Sequence, residues 1–279
     1  MFRIQILCAI LLAVGACSST PKNVEPAGDK DTLALPATIE EAVASDFRDP
    51  TNRARDQYRH PVETLKFFGL TPEMTIVEIS PGAGWYMEIL APLLASKGQY
   101  IAAAPPSNAG EYMQKMNDKR AAWLSRFPQL QGKVKTTDFN PPSMVDIAPP
   151  GSADMVVTFR NVHNWISAKG EQEAFKAFYK ALKPGGTLGV VEHRAPANQK
   201  RDPQAKSGYV REHDVIAMAK RAGFKLVAKS EINANPKDTK NHPEGVWTLP
   251  PTLRLKEKDR EKYLAIGESD RMTLKFVKP

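Results

Sequence analysis

The chain has 279 residues, of which 42% are hydrophobic and 25% charged, with a formal net charge of +8 and two cysteines. One cysteine lies inside an apolar leader, so the rest of the chain can build neither a thiolate metal site nor a disulfide framework. Lysine and arginine are dispersed among glutamate and aspartate instead of forming a basic run, which gives no nucleic-acid signature.

Arg3 precedes an apolar run over residues 4–14 that ends in small residues, the layout of a secretory signal peptide. The run is shorter than the roughly 20 residues a spanning helix needs, and no later stretch approaches that length. Val14-Gly15-Ala16-Cys17 resembles a lipobox. Residues 1–16 are therefore expected to be cleaved and Cys17 to become a lipidated first residue, giving a periplasmic lipoprotein held to a bacterial membrane. The alternative is an ordinary signal peptide with a chance cysteine near its end. Residues 17–36, rich in Ser, Thr, Pro, Lys, Glu and Gly, read as a flexible tether.

Residues 37–279 suffice for one α/β domain. TIVEI at 75–79 is a short β-branched strand. A Gly/Pro turn follows, and then Tyr86, Ile89, Leu90, Leu93 and Leu94 at helical spacing. A second strand over 100–104 ends at Pro105-Pro106, and Tyr112, Met113, Met116, Trp123, Leu124 and Phe127 mark another helix. A weak strand at 133–136 and a buried strand at 154–159 come next. Phe175, Phe178 and Leu182 mark a helix stopped by Lys183-Pro184-Gly185-Gly186, ahead of an apolar strand at 187–192. A helix over 215–222 ends at Gly223, and strands at 225–232 and 272–277 close the chain. Alternating strands and helices predict right-handed crossovers and a mainly parallel sheet. No clear crossover helix separates the last two strands, so the last should run antiparallel. Residues 233–271 between them, with Trp247, read as a covering flap.

Most of the chemistry is carried by Glu78-Ile79-Ser80-Pro81-Gly82-Ala83-Gly84-Trp85-Tyr86. A strand turning through two glycines into a helix lets main-chain N–H groups approach a ligand closely at the carboxyl end of the strand. A dinucleotide fingerprint needs a small residue at position 87, where Met87 stands, so a nicotinamide-linked oxidoreductase is disfavoured.

The acidic strand end, the G-x-G turn, the order of elements and the Lys183-Pro184-Gly185-Gly186 turn together resemble class I S-adenosylmethionine-dependent methyltransferases. The E-I-S-P-G-A-G-W-Y turn, F-R-N-V-H-N-W at 159–165 and G-E-S-D-R-M-T-L-K-F-V-K-P at 267–279 look like an exported predicted methyltransferase group. The resemblance implies a Rossmann-like fold with a seven-stranded sheet, helices on both faces and S-adenosylmethionine as cofactor. It implies that Gly82 and Gly84 flank the methionyl part, and that Glu78 orients the turn or meets the cofactor's amino group. Asp138 would take the adenine amine and Phe139 would wall its ring. Asn161 would face the site after the fourth strand. Two positions depart from the pattern: Ser80 replaces the first glycine, stiffening the turn with Pro81, and Ala104 stands where a carboxylate usually holds the ribose, weakening the cofactor's anchor.

His163 and Asn164 follow the fourth strand. A neutral His163 could take a proton from a hydroxyl or amine, or it could simply bond loop backbone. Glu192 and His193 end the fifth strand, either facing the same crevice or tethering the next loop. His60 before Pro61 reads equally as a helix start. No H-x-x-x-H or H-E-x-x-H pair is present among the five histidines, so no metal site is expected. A G-x-S-x-G elbow and a phosphate loop are missing too, against hydrolase and nucleoside-triphosphatase chemistry. The leading expectation is methyl transfer to a small-molecule or envelope substrate. The rival, which Ala104 favours, is a non-catalytic ligand-binding protein on a degenerate methyltransferase fold.

Overall fold

The computed structural model describes residues 33–279. The expected signal peptide, Cys17 and all of the tether before residue 33 lie outside the described residues. The first described elements are four short helices: α1 (Ile39–Ala44), α2 (Pro50–Arg53), α3 (Asp56–Arg59) and α4 (Pro61–Phe68). Pro61 occupies the first turn of α4, where its missing N–H costs nothing.

Then come β1 (Thr75–Ile79), α5 (Met87–Leu94), β2 (Gln99–Ala104), α6 (Glu111–Ser125), β3 (Val134–Asp138) and β4 (Ala153–Phe159). They are followed by α7 (Val162–Ser167), α8 (Glu171–Ala181), β5 (Leu182–His193), α9 (Glu212–Arg221), β6 (Lys225–Ser230), α10 (Arg260–Ile266) and β7 (Arg271–Val277). Among the described residues no helix is long and apolar enough to cross a membrane.

The seven strands form one sheet in the order β3-β2-β1-β4-β5-β7-β6. The pairs among β1 to β5 are all parallel, whereas β7 lies antiparallel between β5 and β6. This is the Rossmann-like sheet expected from the alternation, with the last strand reversed. β5 starts five residues earlier than its apolar run suggests, because the Lys183-Pro184-Gly185-Gly186 segment already pairs: the Gly185 N–H bonds the Lys278 carbonyl at 2.8 Å.

Strand alternation divides the core into two layers. Val77 and Ile79 face one side, with Val156, Val190, Phe175 and Phe178. Ile76 faces the other, with Tyr100, Ile89, Leu90 and Phe68. On α8 the buried residues Ala174, Phe175, Ala177, Phe178 and Ala181 recur at helical spacing, and each phenylalanine contributes roughly 1.5–3 kcal/mol. α5 is buried on all sides, so its apolar character needs no polar face. Both layers hold the carboxyl ends of β1, β4 and β5 rigidly together, with a reversal of winding between β1 and β4, the place where open α/β sheets bind ligands.

Candidate functional site

At the end of β1 the chain enters the left-handed region three times within five residues, at Ser80 (φ 50°), Gly82 (φ 58°) and Gly84 (φ 100°). The glycines adopt this without cost, while Ser80 stores strain of about 1–3 kcal/mol. Two contacts hold it: the Ser80 N–H bonds the Ala103 carbonyl at 2.7 Å, and Asn161 Nδ2 donates to the carbonyls of Ile79 (3.0 Å) and Ser80 (3.3 Å). Asn161 therefore clamps the turn. Its amide nitrogen is taken up by these carbonyls and by Thr158 Oγ1 at 3.2 Å, which leaves Oδ1 for any ligand.

Gly82 is exposed, and a Cβ placed there would meet nothing within 4 Å. Trp85 does not fill the bend. Its indole N–H donates to the Asn52 carbonyl at 3.0 Å, and its ring lies beneath the guanidinium groups of Arg48 and Arg59 at 4.8 and 4.5 Å. Arg120 of α6 crosses from the other side and donates to the Gly82 carbonyl and to Asn117 Oδ1.

Glu78 lies on β1, two residues before Ser80. Its side chain is buried and accepts from the Tyr100 hydroxyl at 2.6 Å, so it meets the turn only through the charge of Arg120. Burial raises its carboxyl to about 7, against the opposing Tyr100 hydrogen bond and the charges of Arg120 and Arg59.

Phe139 is fully buried, edge-on to Trp165 with ring centres 5.7 Å apart, and packs on Phe178. The expectation of an adenine wall fails there because core packing consumes the ring. Asp138 is exposed at the end of β3 and pairs in register with Ala104. A carboxylate thus stands one strand away from Ala104. The open bend at Gly82 and exposed Asp138 fit a sulfonium nucleoside lying across β1 to β3.

The ends of β4 and β5 hold the polar centre. Both oxygens of Glu192, a fully buried carboxylate, are engaged. Oε2 accepts from the N–H groups of Val162 (2.5 Å) and His163 (3.3 Å) at the start of α7. Oε1 accepts from the His193 N–H (2.8 Å) and lies 3.1 Å from His163 Nδ1. Glu192 therefore ties two loops together and fixes His163 through Nδ1, leaving Nε2 as the nitrogen able to exchange a proton. The His163 ring lies 5.4 Å from His193 and 6.0 Å from Trp247, which the segment between β6 and β7 brings over it. His193 Nδ1 bonds the Ser269 hydroxyl. Burial, followed by the neighbouring charges of His163, Arg160, Arg271 and Arg59, keeps the His193 imidazole neutral well below its ordinary range. Asn164, expected beside His163, is exposed on α7 and is not part of this centre.

Donor atoms of His163, Glu192 and His193 lie within 4.8 Å of one another. No short motif links these residues; the fold brings them together from separate loops. Four hydrogen bonds already occupy Glu192, and Arg160, Arg271 and Arg59 add positive charge around His193, both of which oppose a metal ion.

Sequence reasoning missed a second group. Glu268, just before β7, lies 2.7 Å from Arg55 Nε, 3.4 Å from Arg59 Nε and 2.7 Å from Arg271 Nη2. Arg160, also in the left-handed region (φ 64°), stands at the end of β4 nearby. Its position directly after an apolar strand was the one available signal. Burial would raise the Glu268 carboxyl, but Arg59, Arg271, Arg55 and Arg160 hold it well below the usual carboxylate range.

No protein-family model and no curated protein sequence matches the chain. Solved structures do. An S-adenosylmethionine-dependent methyltransferase from Aquifex aeolicus is similar at TM-score 0.54 and 16% identity, over 86% of this chain and 98% of that one. The 4+2 cyclase SpnF is similar at TM-score 0.54 and 16% identity, over 86% and 92%. An arsenic(III) S-adenosylmethionine methyltransferase from Chlamydomonas reinhardtii is similar at TM-score 0.51 and 12% identity, over 88% and 74%. At these identities the likeness shows the fold, that of the class I methyltransferases, and the cyclase among the neighbours illustrates that this fold carries more than one reaction.

Proposed function

We propose that this chain is an exported, lipid-anchored protein that transfers a methyl group from S-adenosylmethionine to a small acceptor above the ends of β4 and β5. The observation that carries the reading is the open, Cβ-free bend at Gly82 on the same rim of the sheet as a carboxylate-held histidine, His163. The class I methyltransferase fold of the structural neighbours supports it.

When bound, the cofactor supplies a methyl group on a positively charged sulfur. Main chain at Gly82 and Gly84 would hold its methionyl part and Asp138 its adenine. Asn161 keeps the turn in its strained shape, and Glu192 keeps His163 oriented with Nε2 toward the acceptor. His163 then takes the proton that the acceptor's hydroxyl or amine gives up as its new bond to carbon forms. Trp247 restricts water over that imidazole.

A second reading, a non-catalytic ligand-binding protein on the same fold, is favoured by Ala104 and by Arg120 lying across the Gly82 carbonyl. Calorimetric titration of the full-length protein with S-adenosylhomocysteine decides between them. Methyl transfer predicts saturable binding with Kd below roughly 1 mM that Gly82→Arg abolishes; no saturation in that range supports the second reading. The envelope placement rests on residues 1–17. It predicts an acylated Cys17 by mass spectrometry of the membrane fraction and a Cys17→Ser protein released from that fraction, and an unmodified Cys17 overturns it.

A further inference from the structure

Four guanidinium groups face a single carboxylate at the ends of β4 and β7. Arg55 precedes α3 and Arg59 ends it, Arg160 follows β4, Arg271 opens β7, and Glu268 pairs with all of them except Arg160. Among the described residues Arg160 makes no hydrogen bond or ion pair through its side chain. Nη2 of Arg55 is buried without a partner. Beside them the Tyr86 ring stacks on Phe159 at 3.5 Å, and its hydroxyl also finds no partner among the described residues. Burial pushes that hydroxyl up to about 12, against the opposing charges of Arg59, Arg271 and Arg160, so it remains a proton donor.

The charge count is unfavourable as it stands. Burial, opposed by Glu268 and reinforced by Arg271 and Arg55, brings the Arg160 guanidinium down to about 10. Burial, together with Arg160, pushes Arg59 well below its usual range in spite of Glu268. Arg59 and Arg271 are buried and Arg55 and Arg160 partly so, and four cations on one carboxylate leave an excess of positive charge and of donors that a further anion would offset. Guanidinium groups and a phenol are the donors that grip oxyanions, through short charge-assisted hydrogen bonds. Glu268 also lines a cleft of about 160 Å³ with Tyr58, His60, Asn233, Asn235 and Ser269, and Arg160 itself is partly exposed to solvent.

We propose that Arg160, Arg55, Arg59, Arg271 and Tyr86 form an oxyanion subsite, and that the acceptor carries a carboxylate or phosphate group seated there while its nucleophilic atom faces His163. The subsite stands on the charge and donor count. Its assignment to the acceptor rests on the methyl-transfer reading. A negative group fixed beside His193 and His163 would orient the acceptor across the ends of β4 and β5, on the far side of the winding reversal from Asp138.

The test is thermal unfolding of the full-length protein in rising inorganic phosphate and, separately, rising succinate, with ionic strength held constant by sodium chloride. The subsite predicts a saturating rise in Tm with at least one of the two, and the better one identifies the anion class. Arg160→Asn tolerates the left-handed backbone and leaves no partner orphaned; it is expected to fold and to weaken that anion by about tenfold or more. Tyr86→Phe keeps the stacked ring and is expected to weaken it about threefold or more. Absence of saturation by both anions, or an unchanged response in both variants, overturns the subsite. A saturating, Arg160-dependent response in a protein that fails to bind S-adenosylhomocysteine supports the subsite and removes the methyl-transfer reading. Competition between phosphate and S-adenosylhomocysteine overturns the assignment to the acceptor.

Discussion

The half of the sheet made of β1, β2 and β3 and the half made of β4, β5 and β7 end in different chemistry. The first half offers main chain: a bend with no Cβ, Ala104 at the end of β2, Glu78 closed on Tyr100, and an exposed Asp138. The second half offers side chains, with Glu192 holding His163 and four arginines drawn around Glu268. On the proposed reading the contrast separates affinity for the cofactor, left to the glycine bend, from selection of the acceptor, left to the arginine and histidine groups.

Changes in the second half should have the largest effects. Replacing His163 by Gln is expected to slow methyl transfer by about 10²–10⁴-fold while leaving S-adenosylhomocysteine affinity unchanged, read by steady-state kinetics alongside titration. A parallel loss of affinity would erase the separation of the two halves. Glu268→Ala strands several buried cations and should cost about 3–5 kcal/mol in urea unfolding; a loss below about 1 kcal/mol would show that the arginines are solvated rather than held by that carboxylate.

Glu78 tests the first half through pH. Its folded-state carboxyl is raised from the ordinary 4.5 to about 7, so the folded form keeps its proton longer than the unfolded chain. The stability it contributes is therefore complete below about pH 4.5 and lost as pH rises toward 7. Glu78→Gln escapes this loss. Its stability relative to the parent protein should grow by roughly 2–3 kcal/mol between about pH 5 and about pH 8, and a constant difference would place Glu78 in contact with solvent. The smallest effect is expected at Asp138→Asn, about a fivefold weaker S-adenosylhomocysteine titration, or roughly 1 kcal/mol. No change would leave the adenine side with main chain alone.

The fold was largely legible because its central strands are buried. TIVEI, the run at 154–159 and the run at 187–192 each carry continuous apolar character between turns, as strands covered on both faces must. The glycine bend was legible because only glycine takes those φ values freely in succession. Side-chain roles were less so. Phe139 and Asn161 occupy sequence positions where ligand contacts are expected, yet one points into the core and the other back to β1, directions set by packing rather than by spacing. The arginine cluster was illegible because its members come from the two ends of α3, the end of β4 and the start of β7, more than 200 residues apart at the extremes, and only the sheet order brings them together. Glu192 was half legible: its place at a strand end was read, but its four hydrogen bonds depend on the start of α7 folding beneath it.

The most direct test of the account is a crystal structure of the full-length protein grown with S-adenosylhomocysteine. The account predicts the ligand across the ends of β1 to β3, with its sulfur over the Gly82 to Gly84 bend and facing the His163 side of the rim. A ligand bound elsewhere, or an empty bend still spanned by Arg120 at saturating ligand, would contradict it.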